Sequence, residues 1–514
     1  MSAPIGALGR AAGSPADALA AFQRGLAAQH AGQTAEATSA YREAIEIDPD
    51  LAPAFFNLGQ ILRGEGKHGP AAHAYERAAR LRPGAPDAWL NLGICREQLG
   101  HLNNALVAYT EAARIDPSLA AAHFNSGNVR RKLGDLVGAR AGFEEASRLE
   151  PNAAEVWMNL GNVLRELGEL EEAIRVLRRA AELAPTWVEP RWNLSMALLA
   201  AGQLEEGWAE YEHRWGRVGL SGSRGFAWPR WRGEPLQGRR ILIWREQGLG
   251  DEIQFATCVP DLVAQGARVT LAVDPRLVGL CGRSFPEATV VEDGAWGAGP
   301  FDFQLPLGSL PALLRRRRSD FQPAWNYLIP DRARIGAWTE RLGTLGTAFK
   351  VGICWRSGVR LQERDRYYSE LAAWRPLLEL PALAFVSLQY DDAESELASV
   401  EASTGVAIRR WTGVDLKDDL EGVAALIWSL DLVITAPTAV ASLSGALGIE
   451  TWQIEPGTDW TTFGESRSPW LPAIRVFQRP FGVTDWASTI DAIAAELRAR
   501  VAPNRRLLEP NPKE

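Results

Sequence analysis

A 34-residue repeat is the feature of this sequence that most constrains its fold. Asparagine and proline each recur five times at that interval, at Asn57, Asn91, Asn125, Asn159 and Asn193 and at Pro49, Pro83, Pro117, Pro151 and Pro185. A fixed period of this length is typical of solenoids, in which each unit stacks on its neighbours. Each unit contains an apolar helix, a glycine turn, a second apolar helix and a proline that ends it. The sequence therefore predicts an all-α array of about six helix pairs over residues 17–216.

The residues within one unit resemble the tetratricopeptide consensus. In the unit that ends at Pro117, the matching residues are Trp89, Leu92, Gly93, Ala105, Tyr109, Ala112 and Pro117. The resemblance covers residues 17–216 and implies a superhelix of tetratricopeptide repeats. The first unit lacks the asparagine, as expected of a terminal capping repeat.

The repeated asparagine lies away from the apolar face of its helix. At 100° per residue, Trp89, Leu92 and Gly93 centre on one face, and Asn91 falls about 150° away. An amide both donates and accepts hydrogen bonds, so an exposed row of amides suits the backbone of an extended polypeptide. We predict that a protein binds at Asn57, Asn91, Asn125, Asn159 and Asn193. The row resembles the asparagine ladder of O-GlcNAc transferases; the alternative is that asparagine is simply common at this repeat position.

After a connector rich in Gly, Pro and Trp, strand-like runs alternate with helical stretches. The runs are Ile241–Trp244, Arg268–Val273, Lys350–Trp355, Leu383–Leu388 and Leu432–Thr435. Such alternation is typical of parallel sheets, and we predict two Rossmann-like lobes with ligands at the carboxyl ends of their strands. The predicted divisions are a linker at 217–238, a first, acceptor-side lobe at 239–335, a second, nucleotide-sugar-side lobe at 336–500 and a tail at 501–514.

Composition excludes several functional classes. A net charge of −8 argues against a nucleic-acid-binding face, and the four cysteines lie too far apart for a zinc site or a disulfide framework. All six histidines precede residue 217, so neither a histidine triad nor a histidine-ligated metal is predicted in the α/β half. The run Arg315–Arg318 is interpreted as a solvated helix end or loop, in preference to a polyanion site.

Targeting signals are not predicted either. The N-terminus lacks a basic segment followed by a long apolar block, so no secretion signal is expected. The run 432–449 carries no charge, but Pro437 interrupts it and its second half is small and polar, so it is interpreted as a strand that turns into a helix. We expect a cytoplasmic protein with no membrane partner.

The stretch EQGLGDEIQF directly follows the first predicted strand. Gly248 and Gly250 would allow a tight turn and close approach of a ligand, and a helix is expected to begin near Asp251. Without histidine, a carboxylate is the available general base, so Asp251, assisted by Glu252, is the predicted catalytic residue. A dinucleotide site is disfavoured because Ile253 replaces the third glycine. The alternative is that both carboxylates cap the helix.

Two segments of the second predicted lobe suit an anionic ligand. The helix expected near Thr438 begins without an acidic residue, and arginines follow the strand that ends at Trp355. These cations could neutralise a nucleotide phosphate or a sugar carboxylate, although a surface ion pair is the alternative for each single arginine. The predicted donor-binding residues are Gly248, Gly250, Trp355, Arg356, Ser357, Arg360, Arg366, Gln389, Thr438, Ala439, Val440 and Ser442.

Several motifs together resemble one enzyme family. The stretches GLGDEIQFA, GICWRSG, DRYYS, FVSLQ, TAVASLSGALG and SPWLPAIRVFQRP are similar to the transferase part of bacterial tetratricopeptide glycosyltransferases, which are related to the lipopolysaccharide heptosyltransferases. The resemblance covers residues 225–500 and implies a GT-B fold with Asp251 as the base. The heptosyltransferase motif reads DTAVAHLAGALG; this chain has Pro437 for that Asp and Ser442 for that His, which argues against an ADP-heptose donor.

The order of repeats followed by transferase is most similar to the bacterial flagellin glycosyltransferases. The resemblance implies a protein O-glycosyltransferase that needs no metal or other cofactor, binds flagellin through its repeats and transfers a nonulosonic acid from its CMP form to Ser or Thr. The expected fold is an all-α tetratricopeptide superhelix followed by an α/β GT-B transferase of two Rossmann-like lobes. Two alternatives remain: an inert scaffold whose repeats recruit a partner, and a heptosyltransferase-like enzyme that acts on a glycan or lipid.

Overall fold

The computed structural model of the chain describes residues 14–217, 224–297, 299–321, 326–358, 368–457, 459–481, 483 and 485–501. The chain forms two compact units, Met1–Val163 and Leu164–Glu514. Within the described residues, the first unit contains helices only, and the second contains the last part of the helical array together with two β-sheets. The division therefore falls inside the predicted repeat array and not at the predicted linker.

Residues 14–217 form the predicted helix pairs. The twelve α-helices of this stretch are α1 (Pro15–His30), α2 (Thr34–Ile47), α3 (Ala52–Gly64), α4 (His68–Leu81), α5 (Pro86–Gln98), α6 (Leu102–Ile115), α7 (Ala120–Lys132), α8 (Leu136–Leu149), α9 (Ala154–Glu166), α10 (Leu170–Leu183), α11 (Val188–Ala200) and α12 (Leu204–Tyr211). The two helices of each pair are joined by a glycine with positive φ, at Gly32, Gly66, Gly100, Gly134, Gly168 and Gly202. Glycine adopts this backbone conformation without a steric penalty, so the turn recurs with the sequence period. The prediction of about six helix pairs is confirmed.

In the first four pairs, an aromatic ring on the second helix packs over a glycine on the first. The contacts are Gly25 with Tyr41, Gly59 with Tyr75, Gly93 with Tyr109, and Gly127 with Phe143. A β-carbon on any of these glycines would lie 2.5 to 2.9 Å from the ring. Each ring is fully buried and fills the space that a larger side chain would need, so these glycines set how closely the two helices pack.

Ten strands form two parallel sheets in the described part of the second unit. They are β1 (Arg240–Trp244), β2 (Arg268–Val273), β3 (Thr289–Glu292), β4 (Phe303–Pro306), β5 (Phe349–Cys354), β6 (Leu383–Ser387), β7 (Ile408–Arg409), β8 (Leu432–Thr435), β9 (Thr451–Glu455) and β10 (Ile474–Gln478). The first sheet has the order β3-β2-β1-β4 and the second has the order β10-β9-β8-β5-β6-β7. All strand pairings in both sheets are parallel. The parallel sheets predicted from the apolar runs are confirmed, with each predicted run lying on a strand.

In both sheets, the first strand along the chain lies between later strands that were added on opposite sides of it. From β1 the chain adds β2 and β3 on one side and then β4 on the other, and from β5 it adds β6 and β7 and then β8 on the other side. Open parallel sheets bind ligands at such switch points, beside the carboxyl ends of the strands. The loops that follow β1, β5 and β8 are therefore the first places to look for a site.

Helices cover the sheets. In the described part of the second unit beyond the repeats they are α13 (Leu249–Ala256), α14 (Val259–Ala264), α15 (Val278–Ser284), α16 (Pro311–Leu314), α17 (Arg332–Gly343), α18 (Arg375–Leu378), α19 (Glu394–Thr404), α20 (Leu420–Trp428), α21 (Ala439–Ala446) and α22 (Ala487–Val501). One apolar core contains side chains from both sheet regions and from the last repeat, among them Trp208, Ile243, Ile253, Leu426 and Leu443. The last repeat therefore packs as part of this unit.

The described part of the predicted linker packs on the first sheet. Leu242 and Trp244 of β1 face a separate aromatic cluster, which includes Phe226 and Trp228. The rings of Phe226 and Trp228 stack with centroids 5.4 Å apart, and the Arg224 guanidinium lies 4.7 Å from the Trp244 ring. This segment covers the sheet face that α13 does not reach.

Among the described residues, no helix has the length and apolar character that a membrane span requires. The uncharged run at 432–449 forms β8 and α21, as the strand-then-helix interpretation predicts.

Candidate functional site

Asp251 lies in the first turn of α13, at the carboxyl end of β1. Gly248 precedes the helix with φ −71°, and its N–H donates to the Asp251 Oδ2 at 3.2 Å. The Asp251 side chain is half-buried and lies in the first turn, near the partial positive charge of the helix start. The predicted base therefore also caps its own helix. Gly248 has an extended backbone conformation, with φ −71° and ψ 162°, at the predicted turn from strand to helix.

Gly250 brings α13 into contact with α21. A β-carbon on Gly250 would lie 3.2 Å from the Ser442 Oγ and 3.6 Å from the Ala439 Cα. The glycine was predicted to admit a ligand; instead, it admits the start of another helix. Four predicted site residues, Gly250, Asp251, Ala439 and Ser442, thus come together where the two switch points meet.

Thr438 caps α21. Its Oγ1 accepts a hydrogen bond from the Val440 N–H at 3.3 Å, and the Val440 side chain is 6% exposed. Val440 therefore contributes to the core, and its N–H already has a partner. The hydroxyls of Thr438 and Ser442 and the backbone of Ala439 are the half-buried groups at this helix start.

Glu252 does not face an open cleft. It is 2% exposed, and its two carboxylate oxygens accept from the Arg245 Nε at 2.6 Å and the Asp274 N–H at 2.9 Å. Burial raises the pKa of Glu252 to about 7, although both donors favour the charged form. The structure corrects the interpretation of Glu252 as a partner of Asp251 in catalysis: its carboxylate joins the β1 loop to the end of β2.

The remaining residues of the loop are held by the end of α12 and the short 3-10 helix Glu212–Gly216 that follows it. Glu246 receives a bidentate ion pair from Arg214, with Nη2–Oε1 at 2.7 Å and Nε–Oε2 at 3.1 Å. Gln247 donates its Nε2 to the Tyr211 hydroxyl at 2.5 Å. Sequence reasoning missed Arg214 and Tyr211, although one signal was present. Arginine at 214 replaces an alanine that recurs at 34-residue spacing in the preceding units.

At the end of β5, the predicted donor-binding residues form a closed network. Trp355 is fully buried, and its backbone N–H donates to the Gln389 Oε1 at 3.1 Å. Arg356 is 7% exposed and forms ion pairs with Asp391, at 3.0 Å, and with Glu396. Gln389 returns its Nε2 to the Arg356 carbonyl oxygen at 2.9 Å. The interpretation of Arg356 as a cation available to an anionic ligand is corrected, because two carboxylates of its own chain neutralise it.

The other predicted residues beside β5 have different outcomes. Ser357 is half-buried, and its Oγ lies 3.2 Å from the Tyr390 hydroxyl. Arg360 and Arg366 lie outside the described residues.

Three of the four arginines in the run at 315–318 form ion pairs. Arg315 is 3% exposed and donates to the Asp261 Oδ2 at 2.7 Å. Arg316 pairs with Glu205 and Arg318 with Glu465. The run joins elements of the second unit, so describing it as a solvated helix end was wrong for its first member.

The repeated asparagines are half-buried rather than fully exposed. Asn91 and Asn159 each donate an amide N–H to the carbonyl oxygen four residues earlier, at 2.8 and 2.9 Å. Asn57 donates to the Tyr41 hydroxyl at 3.3 Å. An amide has two N–H groups and an acceptor oxygen, so these bonds leave capacity for a peptide.

Comparison with known families identifies the helix pairs. Residues 56–120 and 124–186 match one tetratricopeptide repeat family, and residues 18–51 match another. These segments are tetratricopeptide repeats. The recurring helix pairs and the sequence match thus agree.

A curated relative extends the similarity beyond the repeats. The chain is 37% identical over 312 residues to Protein FlbA of Caulobacter vibrioides, a match that covers 57% of this chain and 52% of FlbA. The chain thus spans about half the length of the curated relative it matches. Because the match is longer than the repeat segment 18–186, it includes residues outside the repeats.

Solved structures with repeats are also similar to part of the chain. The crystal structure of MamA protein shares 18% identity with a TM-score of 0.32, covering 34% of this chain and 94% of MamA. YrrB, described as a tetratricopeptide protein with an unusual peptide-binding site, shares 21% identity with a TM-score of 0.32, covering 34% of this chain and 90% of YrrB.

Proposed function

We propose that this chain is a protein O-glycosyltransferase in which Asp251 accepts the proton of the acceptor hydroxyl. The contact of Gly250 with Ser442 carries the proposal, because it places a half-buried carboxylate beside a helix start without acidic residues. Both lie at the carboxyl edges of parallel sheets, where ligands of such folds bind. In this proposal the two sheet regions are the two lobes of a GT-B fold.

The two helix starts would serve opposite ends of one reaction. The acceptor oxygen forms a bond to the anomeric carbon, and its proton passes to the Asp251 carboxylate. The bond between the anomeric carbon and the phosphate oxygen breaks, and its electron pair leaves with the nucleotide. The Ala439 N–H at the start of α21, with the hydroxyls of Thr438 and Ser442, would stabilise that negative charge without a metal.

The repeats would supply the acceptor. Tetratricopeptide repeats typically mediate protein–protein binding, and the half-buried asparagines of α3, α5, α7, α9 and α11 retain capacity to bond a peptide backbone. The resemblance in sequence favours flagellin as acceptor and a CMP-linked nonulosonic acid as donor.

A transfer assay with two matched variants tests the proposal. The full-length chain is incubated with flagellin and CMP-activated nonulosonic acid, and the mass of the flagellin is measured. Asp251→Asn should slow transfer by about 100-fold or more, the usual contribution of a general base. Asp331→Asn is the control, because Asp331 also caps a helix: it precedes α17 and accepts from the Arg334 N–H. Wild-type turnover by Asp251→Asn would rule out the base.

A scaffold function is the second candidate, and the closed network around Arg356 favours it. A protein that binds no nucleotide could keep Trp355, Arg356 and Gln389 sealed, as they are here. Thermal unfolding with millimolar CMP, UDP or ADP separates the two functions, since a ligand of the native state raises the Tm. A rise with one nucleotide supports the transferase, and no rise with any of them supports the scaffold.

A further inference from the structure

We propose that Tyr211, the last residue of α12, and Arg214, in the short 3-10 helix Glu212–Gly216 that follows it, are positioning residues for residues 246–251, which comprise the loop after β1 and the first residues of α13. The last repeat would then be a working part of the site as well as a place to bind a partner. The effect on catalysis rests on the proposed function, whereas the effect on the order of the loop does not.

The repeat register shows that Arg214 departs from its unit's pattern. Its counterparts at 34-residue spacing are Ala44, Ala78, Ala112, Ala146 and Ala180. All five alanines are at most 3% exposed, so this position is a tightly packed one inside the array. In the last repeat this position is Arg214, which is 0% exposed. A buried cation is costly unless it is fully paired, so its partners must be part of the design of this unit.

Those partners lie in the sheet region and beside the repeat's own end. Arg214 forms its bidentate pair with Glu246, donates to the Ser309 Oγ at 2.7 Å and donates to the Glu212 carboxylate at 2.7 Å. Burial opposes its charge, but Glu246, Tyr211 and Glu212 outweigh that cost and raise the pKa of Arg214 above its ordinary value. Arg214 therefore holds Glu246 in one place.

The hydroxyl of Tyr211 has a different hydrogen-bond partner from the hydroxyls at the same position of earlier repeats. Its counterparts at 34-residue spacing include Tyr41 and Tyr109, whose hydroxyls donate within their own helix pairs, to Gln29 at 2.6 Å and to Glu97 at 2.8 Å. The Tyr211 hydroxyl instead accepts from Gln247 in the loop after β1. The Tyr41 hydroxyl also accepts from Asn57 of the next helix pair, but the Tyr211 hydroxyl has acquired a contact outside the repeat array altogether.

The two contacts act on consecutive residues of the loop before α13, and the next residue of that loop is Gly248. Glu246 and Gln247 directly precede Gly248, whose N–H bonds to Asp251. Glycines widen the range of backbone conformations open to an unrestrained loop, so ordering it costs conformational entropy. Pinning two side chains immediately before Gly248 restricts where α13 begins, and so where the Asp251 carboxylate lies.

Hydrogen–deuterium exchange of the full-length chain tests the positioning role without an activity assay. Tyr211→Phe, which removes only the hydroxyl, should speed exchange in peptides covering 245–256 by about fivefold, the effect of losing one hydrogen bond. Arg214→Lys should do the same, because a lysine keeps the charge but not the bidentate geometry. Tyr109→Phe is the matched control: it removes a hydroxyl from the same repeat position and should leave these peptides unchanged.

The outcomes for the two proposals are distinguishable. If Tyr211→Phe and Arg214→Lys both remain folded and exchange in 245–256 stays at the wild-type rate, the positioning role is overturned. An inactive wild-type chain would instead overturn the transferase while leaving the exchange result valid. In an active chain, Tyr211→Phe should lower kcat with the donor KM unchanged, because the loop positions the base and does not bind the nucleotide.

Discussion

Gly250 and Ser442 are in contact between the two sheet regions: a β-carbon on Gly250 would lie 3.2 Å from the Ser442 Oγ. The same β-carbon would lie 3.6 Å from the Ala439 Cα. A hydroxyl can rotate away, whereas a helix backbone cannot. The contact therefore tolerates a small addition and rejects a branched one.

Substitutions at Gly250 should follow this difference. Gly250→Val should destabilise the chain by about 1–3 kcal/mol, the usual cost of overpacking, and abolish transfer. Gly250→Ala should be nearly neutral, because a helix propensity gain of up to about 1 kcal/mol offsets the tight contact. Adding Ser442→Ala to Gly250→Ala should increase stability further. Urea unfolding of the four proteins measures this, and a harmless valine would show that the helices are not packed as described.

The pH dependence of stability should report Glu252. Its pKa is raised from 4.5 to about 7, so the folded chain binds a proton more tightly than the unfolded chain. The stabilisation is complete below pH 4.5 and is lost as the pH rises through about 7. The shift corresponds to about 3 kcal/mol at most. Glu252→Gln imitates the protonated form, so its Tm relative to wild type should rise between pH 5 and pH 8; a constant difference would contradict the buried, proton-binding carboxyl.

Arg356 should be important for stability. Its side chain is 8% exposed and pairs with Asp391 and Glu396, so Arg356→Ala should leave two carboxylates without their cation and cost about 3 kcal/mol. The control is Arg375→Ala. The Arg375 side chain is 59% exposed and pairs with Glu379 at the surface, so its loss should lower the free energy of unfolding by less than about 1 kcal/mol. Chemical denaturation compares them. Equal effects would mean that the Arg356 network is not closed.

Substituting alanine for a glycine of the repeats should change stability according to which atoms the new β-carbon would contact. In Gly93→Ala the new β-carbon would stand 2.5 Å from the Tyr109 ring, so the helices must separate and stability should fall by about 1–3 kcal/mol. At Gly69 of α4 nothing lies within 4 Å, so Gly69→Ala should gain up to about 1 kcal/mol from helix propensity. The midpoint of urea unfolding, followed by circular dichroism, should therefore fall for Gly93→Ala and rise for Gly69→Ala.

Much of the fold could be predicted because its signals are local. The helix pairs follow from the 34-residue period, and the turn glycines occur where the backbone needs positive φ. The apolar runs located β1, β2, β5, β6 and β8, whereas β3, β4, β7 and β10 were missed; β7 has only two residues. A strand that short shows too few alternations or apolar residues to stand out from a loop.

The candidate site was predicted only in part. Asp251, Ala439 and Ser442 follow or begin elements whose positions are readable from the sequence, and they come together as expected of switch points. Trp355 and Gln389 follow strands in the same way, yet they face inward. Position after a strand identifies the edge of the sheet, but it does not say whether a side chain reaches solvent there.

The sequence by itself determined the repeat array, the parallel sheets and the carboxylate at the start of α13, because these depend on residues that are neighbours along the chain. Only the tertiary structure decided which polar groups are already satisfied. Arg356 meets Glu396, 40 positions later, and Arg214 meets Glu246, 32 positions later. Such partners are selected by the packing of helices and sheets against one another, so neither period nor hydropathy could reveal that one arginine is sealed and the other holds the loop of Asp251.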